Sequence, residues 1–220
     1  MKEQKLITRH SAVEIFEHWV IAISGLALLL SGMFQLPVAG RYKITAIPGF
    51  SWSGDFFITL QIHYLASVFF VACVVFHVVY HCILKETGML PRKGDIKESI
   101  KVFQSLITKK PEPPFGKYLP EQRLAYVLIA VPVLLLIVSG IFKTAKNIFY
   151  PDMDRSLLLI MTSIHNLGFV LFFLAFFAHI GALLLKPNWP LVRGIFTGKV
   201  RRDYAEHRHP LWIKEIETNK

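Results

Sequence analysis

Residues 164–187 read IHNLGFVLFFLAFFAHIGALLLKP, a run in which nearly every side chain suits lipid except His165 and His179. Imidazole nitrogens in hydrocarbon need a partner that lipid does not supply, so ionisable side chains inside membrane segments are costly and functional by default. The run is long enough to span a bilayer as a helix, and the two histidines ask what satisfies them.

The rest of the chain extends the same pattern. Of 220 residues, 53% are hydrophobic and 18 are Phe, which places the chain among membrane proteins and excludes a single soluble domain. Apolar runs at 18–35, 56–84, 124–142 and 157–185 each approach the roughly 20 residues that cross a bilayer as helix. They lack the period-two alternation of a barrel, and lipid leaves helices as the alternative. The expected fold is an all-α integral membrane bundle, a single domain over 1–220. Its four transmembrane helices are expected at about 13–36, 56–84, 122–147 and 157–186, with a cytoplasmic loop at 85–121 and a cytoplasmic tail at 187–220. No small-residue cleavage site follows the first run, so it reads as a retained helix.

Lys and Arg are distributed unevenly. The N-terminus, the middle loop and the tail together hold 20 of them, against five in the other two loops. The positive-inside rule therefore puts both termini in the cytoplasm. Topology and headgroup contact account for the net charge of +10, and no basic motif interleaved with aromatics supports a nucleic-acid partner. Cys73 and Cys82 both fall in the second run as packing residues. Without CxxC or CxxCH, iron-sulfur ligation and covalent haem attachment lack their residues.

An internal echo divides the chain into two helical hairpins. Helix one carries LLLSGMF at 28–34 and helix three LLLIVSGIF at 134–142. Helix two carries HYLASVFFVACVVFH and helix four HNLGFVLFFLAFFAH, which pair His63 with His77 and His165 with His179 at the same 14-residue spacing. Fourteen residues turn through about 1,400°, within about 40° of four full turns, and rise about 21 Å, so each pair lies on one face at two depths. His63 and His165 both sit at roughly 10 to 12 Å from the outer surface and can face one another. His179 lies towards the inner side. His18 at the inner mouth of helix one, His77 by the echo, or His81 one turn further in could meet it.

Opposed neutral imidazoles between apolar helices, with small residues nearby, are what a b-type haem requires. Zinc would want a tetrahedral cluster at one depth. A proton relay would want intramembrane Asp or Glu, and none lies between the ends of helices two, three and four. Outside the membrane, His10, His207 and His209 read as solvated surface groups beside charged neighbours.

His18-Trp19 opening helix one, Ser31-Gly32, His63, Gly116-Lys117-Tyr118 with Gln122, the spacing of His165 and His179, and the tail GKVRRDYAEHRHPLW together carry a likeness. From residue 9 to about 216 the sequence resembles the gamma subunit of respiratory formate dehydrogenases, a four-helix di-haem cytochrome b. It is more loosely similar to the cytochrome b of nickel-iron hydrogenases. The resemblance implies two haem b groups, the outer on His63 and His165 and the inner on His18 and His179, with His77 the alternative inner ligand. It also implies a quinone site, for menaquinone or ubiquinone, near His179, Gly116, Tyr118 and Gln122. The chain departs from the family pattern at Leu119-Pro120-Glu121, within the quinone segment.

The expected function is an electron conduit in the bacterial cytoplasmic membrane. It would run from an iron-sulfur subunit on the periplasmic side, itself served by a catalytic subunit, to a quinone that takes protons from the cytoplasm. Nothing in the chain resembles a formate or hydrogen site, so that chemistry belongs to a partner. A hydrogenase or another quinone-linked oxidoreductase, a self-contained b-type reductase and a haem-free transporter are the other readings.

Overall fold

Each of the four apolar runs becomes one long helix, because a backbone in lipid has to satisfy its own hydrogen bonds. The structure is a computed structural model that describes residues 5–108 and 113–218, and among these it leaves out the side chains of 38, 39 and 106. Lys2, Lys109, Lys110 and Lys220, counted in the charge distribution above, lie outside the described residues. The chain divides into two compact units, Ser11–Lys85 and a larger one made of Met1–His10 and Glu86–Lys220.

In the smaller unit, α1 (Ala12–Phe34) starts at a capping box: Ser11 Oγ accepts from Glu14 N at 3.1 Å, and Glu14 Oε2 accepts from Ser11 N at 2.6 Å. The short α2 (Val38–Arg41) and two 3-10 turns (Ile44–Ala46 and Ser51–Gly54) lead to α3 (Phe56–Ile83). Asp55 opens α3 by accepting from Phe57 N at 2.8 Å and Ile58 N at 3.1 Å. Helices α1 and α3 pack as an antiparallel pair.

In the larger unit, β1 (Leu6–Thr8) pairs antiparallel with β2 (Lys199–Arg201), Ile7 opposite Val200. The expected loop at 85–121 contains an amphipathic helix, α4 (Asp95–Thr108), whose Val102 is buried with Phe115 and Leu119. Asp95 anchors it to the next helix through Arg123, with Nε to Oδ2 at 2.8 Å and Nη2 to Oδ1 at 2.6 Å.

Pro120 begins α5 (Pro120–Ile148), where its missing N–H costs nothing. Asp154 caps α6 (Arg155–Ala182) by accepting from Leu157 N at 2.9 Å. This fourth helix ends at Ala182, short of the expected 186, because Asn188 Nδ2 donates to the Ala182 carbonyl at 2.9 Å and Lys186–Asn188 forms a 3-10 turn.

All four long helices are long and apolar enough to cross a membrane, and their outward faces carry exposed Phe57, Phe69, Leu134 and Leu174. Such surface would drive aggregation in water and is what lipid-facing helices need.

The tail is folded. After α7 (Trp189–Thr197), Gly198 turns the chain at φ 69°, a left-handed conformation that glycine adopts without a Cβ penalty. The Gly198 carbonyl accepts from Arg9 N at 2.7 Å and His10 N at 3.0 Å. Val200 packs with Ala205 of α8 (Arg202–Arg208) and with Trp212 and Ile213 of α9 (Pro210–Thr218).

His209 joins this core and corrects the reading of it as a solvated group: it is 0% exposed and its Nδ1 donates to the Gly116 carbonyl at 2.7 Å. Trp212 packs edge-on against it, and Arg9 and Arg208 are buried with it rather than solvated. His207 is exposed as expected.

Candidate functional site

The Ser-Gly echo has a structural purpose in both hairpins. In the smaller unit, Ser31 Oγ lies 2.7 Å from the Ala27 carbonyl and 2.9 Å from His63 Nδ1. A hydroxyl has one proton, and donating it to the carbonyl leaves its oxygen to accept from the ring, so the hydrogen-bond network assigns the proton to Nδ1 of His63. In the larger unit, Ser139 Oγ lies 2.6 Å from the Leu135 carbonyl and 3.0 Å from His165 Nδ1, the same arrangement with the same consequence. Both rings are therefore oriented with a proton on Nδ1, which leaves Nε2 as the nitrogen that can offer a lone pair.

The glycine after each serine makes room for the ring. A Cβ on Gly32 would stand 3.4 Å from His63 Cε1, and one on Gly140 would stand 3.5 Å from His165 Cε1. Those are contact distances, so a larger side chain at either position would press on the imidazole.

On the same face of α3, about 21 Å along the helix from His63, the smaller unit holds a second group. His77 Nδ1 lies 3.0 Å and His81 Nε2 3.2 Å from Oε2 of Glu17, whose side chain is buried. Ser31 and Glu17 are fourteen residues apart on α1, as His63 and His77 are on α3, so the antiparallel pair sets both contacts in one register.

Glu17 is not among the site residues expected from the sequence, because it stands one position before the first apolar run, which begins at His18. Its fourteen-residue offset from Ser31 was the available signal. His18 packs its ring edge-on against Trp19, with centroids 5.4 Å apart. Of the two cysteines, Cys73 is buried as expected, with Sγ 3.8 Å from the Glu17 carbonyl, whereas Cys82 is exposed.

His18, His63 and His77 thus belong to the smaller unit, and His165 and His179 to the larger. His179 lies on α6 fourteen residues beyond His165. The α5–α6 pair has Ser139 opposite His165, so an antiparallel register puts His179 about level with Ala125, one turn inside Gln122.

Gly116, Tyr118 and Gln122 gather at the start of α5. Gln122 Oε1 accepts from Leu119 N at 3.1 Å, and Arg123 Nη1 donates to the Tyr118 carbonyl at 2.9 Å. The Arg9 guanidinium lies 5.7 Å from the Tyr118 ring centroid and 5.3 Å from that of Trp212. A cleft of about 820 Å³ opens here, with Arg92, Phe115, Lys117, Tyr118, Arg123 and Trp212 among its walls.

Residues 9–198 match the family described as prokaryotic cytochrome b561. The chain belongs to this family. The cytochrome is also 22% identical to the nitrate-inducible formate dehydrogenase cytochrome b556(Fdn) subunit of Escherichia coli K12, over 99% of this chain and 94% of that protein. It is 22% identical to the formate dehydrogenase cytochrome b556(fdo) subunit of the same organism, over 98% and 96% of the two chains. The Fdn subunit of Shigella flexneri is similar to the same extent, at 22% identity over 99% of this chain and 94% of that one.

The family is one of membrane electron-transfer cytochromes, and it implies haem b in a multi-pass protein consistent with the bacterial inner membrane. The residues present fit that group. His63 and His165 are each held through Nδ1, which leaves Nε2 as the nitrogen that would ligate haem iron, and the chain has no covalent attachment motif.

Proposed function

We propose that this cytochrome is the membrane subunit of a formate dehydrogenase complex, with residues 1–220 working as one domain. It would carry electrons from an iron-sulfur partner on the periplasmic side to a quinone in the membrane. The observation that carries the reading is the duplicated serine–histidine–glycine arrangement at His63 and His165. Two hairpins each hold one imidazole through Nδ1 and leave its Nε2 to serve as a ligand. Likeness to the two formate dehydrogenase subunits over nearly the whole of all the chains supports the choice of complex.

Two haem b groups would be held, one by His63 and His165 and the other by His18 and His179. Bound haem supplies a one-electron couple, and the chain provides ligands and an apolar sleeve. Ser31 and Ser139 keep Nε2 of His63 and His165 available and fix the ring planes.

His77 is the alternative inner ligand. It shares Glu17 Oε2 with His81, and its place in that three-residue cluster supports His18 for the role. The quinone would lie near His179 and Gln122, with Gly116 and Tyr118 in the segment that precedes α5. The distribution of Lys and Arg supports both termini in the cytoplasm, so that quinone reduction would draw protons from that side.

The deciding experiment purifies the complex in mild detergent. Two acid-extractable haems per chain by pyridine haemochrome, together with a copurifying molybdenum- or tungsten-containing subunit and an iron-sulfur subunit, are expected. A nickel-iron partner would move the assignment to a hydrogenase. A chain without Soret absorbance would refute the cytochrome role.

A further inference from the structure

A carboxylate inside the second turn of a membrane-spanning helix needs a compensating charge. The Glu17 side chain is 3% exposed, and its Oε1 is buried with no hydrogen-bond partner among the described residues. Its Oε2 faces His77 Nδ1 at 3.0 Å and His81 Nε2 at 3.2 Å, and all three donor atoms lie within 4.8 Å of one another.

The two histidines are four residues apart on α3, so their rings share one face, with centroids 4.4 Å apart. Two histidines at that spacing, with a carboxylate from another element, make a familiar grip for a divalent cation. Metal bonds of about 2.0 to 2.2 Å put neighbouring ligand atoms about 3.0 to 3.5 Å apart, which the two oxygen–nitrogen separations match.

We propose that Glu17, His77 and His81 bind a zinc-class divalent cation that ties α1 to α3. Two imidazoles and one carboxylate suit zinc rather than magnesium or calcium, which take oxygen ligands. Three protein ligands leave a position for water. The cation offsets the buried carboxylate and draws on the Oε1 atom that the hydrogen bonds leave out. All three residues belong to the unit Ser11–Lys85, and the inference rests on His18 rather than His77 holding the inner haem.

The test loads the detergent-purified complex with Zn²⁺ alone, removes loose metal by gel filtration over a weak chelator, and measures zinc and haem by mass spectrometry and haemochrome. Wild type is expected to retain about one zinc per chain. Glu17→Gln and His81→Ala are expected to lose it at unchanged haem content. His81→Cys, which restores a zinc ligand but not the imidazole hydrogen bond, is expected to regain it. No retained zinc in wild type, or equal zinc in wild type and both loss variants, would overturn the site and leave a hydrogen-bonded Glu–His cluster. Loss of haem along with zinc in His81→Ala, without recovery in His81→Cys, would overturn it as well.

Discussion

Ser139 accepts a hydrogen bond from His165 Nδ1 at 3.0 Å while donating its own proton to the Leu135 carbonyl at 2.6 Å. The serine thus sets which nitrogen of the ring holds the proton. Outer partners of this kind are worth about 10- to 100-fold in metal affinity. Ser139→Ala should hold haem about 10- to 100-fold more weakly, read as transfer to apomyoglobin, whereas Ser139→Thr should stay close to wild type. Ser31→Ala should behave alike through His63. Unchanged haem retention in both alanine variants would remove the orienting role.

The glycines make a steric prediction with a sign that depends on size. A Cβ at Gly140 meets His165 Cε1 at 3.5 Å, an ordinary contact, so Gly140→Ala should keep its full haem content. Gly140→Leu drives further atoms into the ring and should lower haem content by about half, with the remaining haem spectroscopically normal. Haemochrome against protein mass checks both. A full complement in Gly140→Leu would mean that the ring has room to move.

The helices and their echo were legible because lipid imposes a simple rule, a long apolar run with few charges, and because the 14-residue histidine spacing survives as a shared face. The partners of those histidines were less so. Ser31 and Ser139 read as small packing residues, and only the folded hairpin shows that each also turns an imidazole. Glu17 was invisible because one acid near the end of an apolar run resembles a flanking charge until α3 covers it. The burial of His209 was hidden for a different reason. Its neighbours in sequence are charged, but the Gly116 carbonyl that it meets lies far away in the sequence, and Trp212 closes over it only once α9 has folded back.

The burial of His209 gives the tail a pH dependence. Loss of hydration, with Arg9 and Arg208 nearby, pushes its pKa down to about 4 despite the hydrogen bond to Gly116, against about 6.5 for an unfolded histidine. Above about pH 6.5 both states are neutral and the tail has its full stability. As pH falls from there towards 4 the unfolded chain takes a proton that the folded one resists, so stability declines by up to about 3 kcal/mol in total. Hydrogen exchange of residues 199–218 in the intact protein should therefore quicken between pH 7 and 5 beyond the intrinsic pH effect. His209→Asn should flatten that trend, and an equal trend in both proteins would show that another group is responsible.

The inner ligand offers the sharpest choice. By the tautomer argument His77, whose Nδ1 meets a carboxylate at 3.0 Å, presents Nε2 as well as His63 does. Ring chemistry therefore does not separate it from His18. What separates them is commitment: Glu17 Oε2 also takes His81 at 3.2 Å, so His77 is one member of a three-residue cluster, while His18 stands outside it. His18→Ala should lose the inner haem or convert it to a five-coordinate, high-spin form, since one axial nitrogen is gone. His77→Ala should keep two six-coordinate haems and lose only the bound zinc. Low-temperature electron paramagnetic resonance of the oxidised complex distinguishes the two states directly. If His77→Ala removes the inner haem and His18→Ala spares it, the inner pair is His77 with His179, the zinc cluster loses a member, and the electron-transfer role stands on the exchanged ligand.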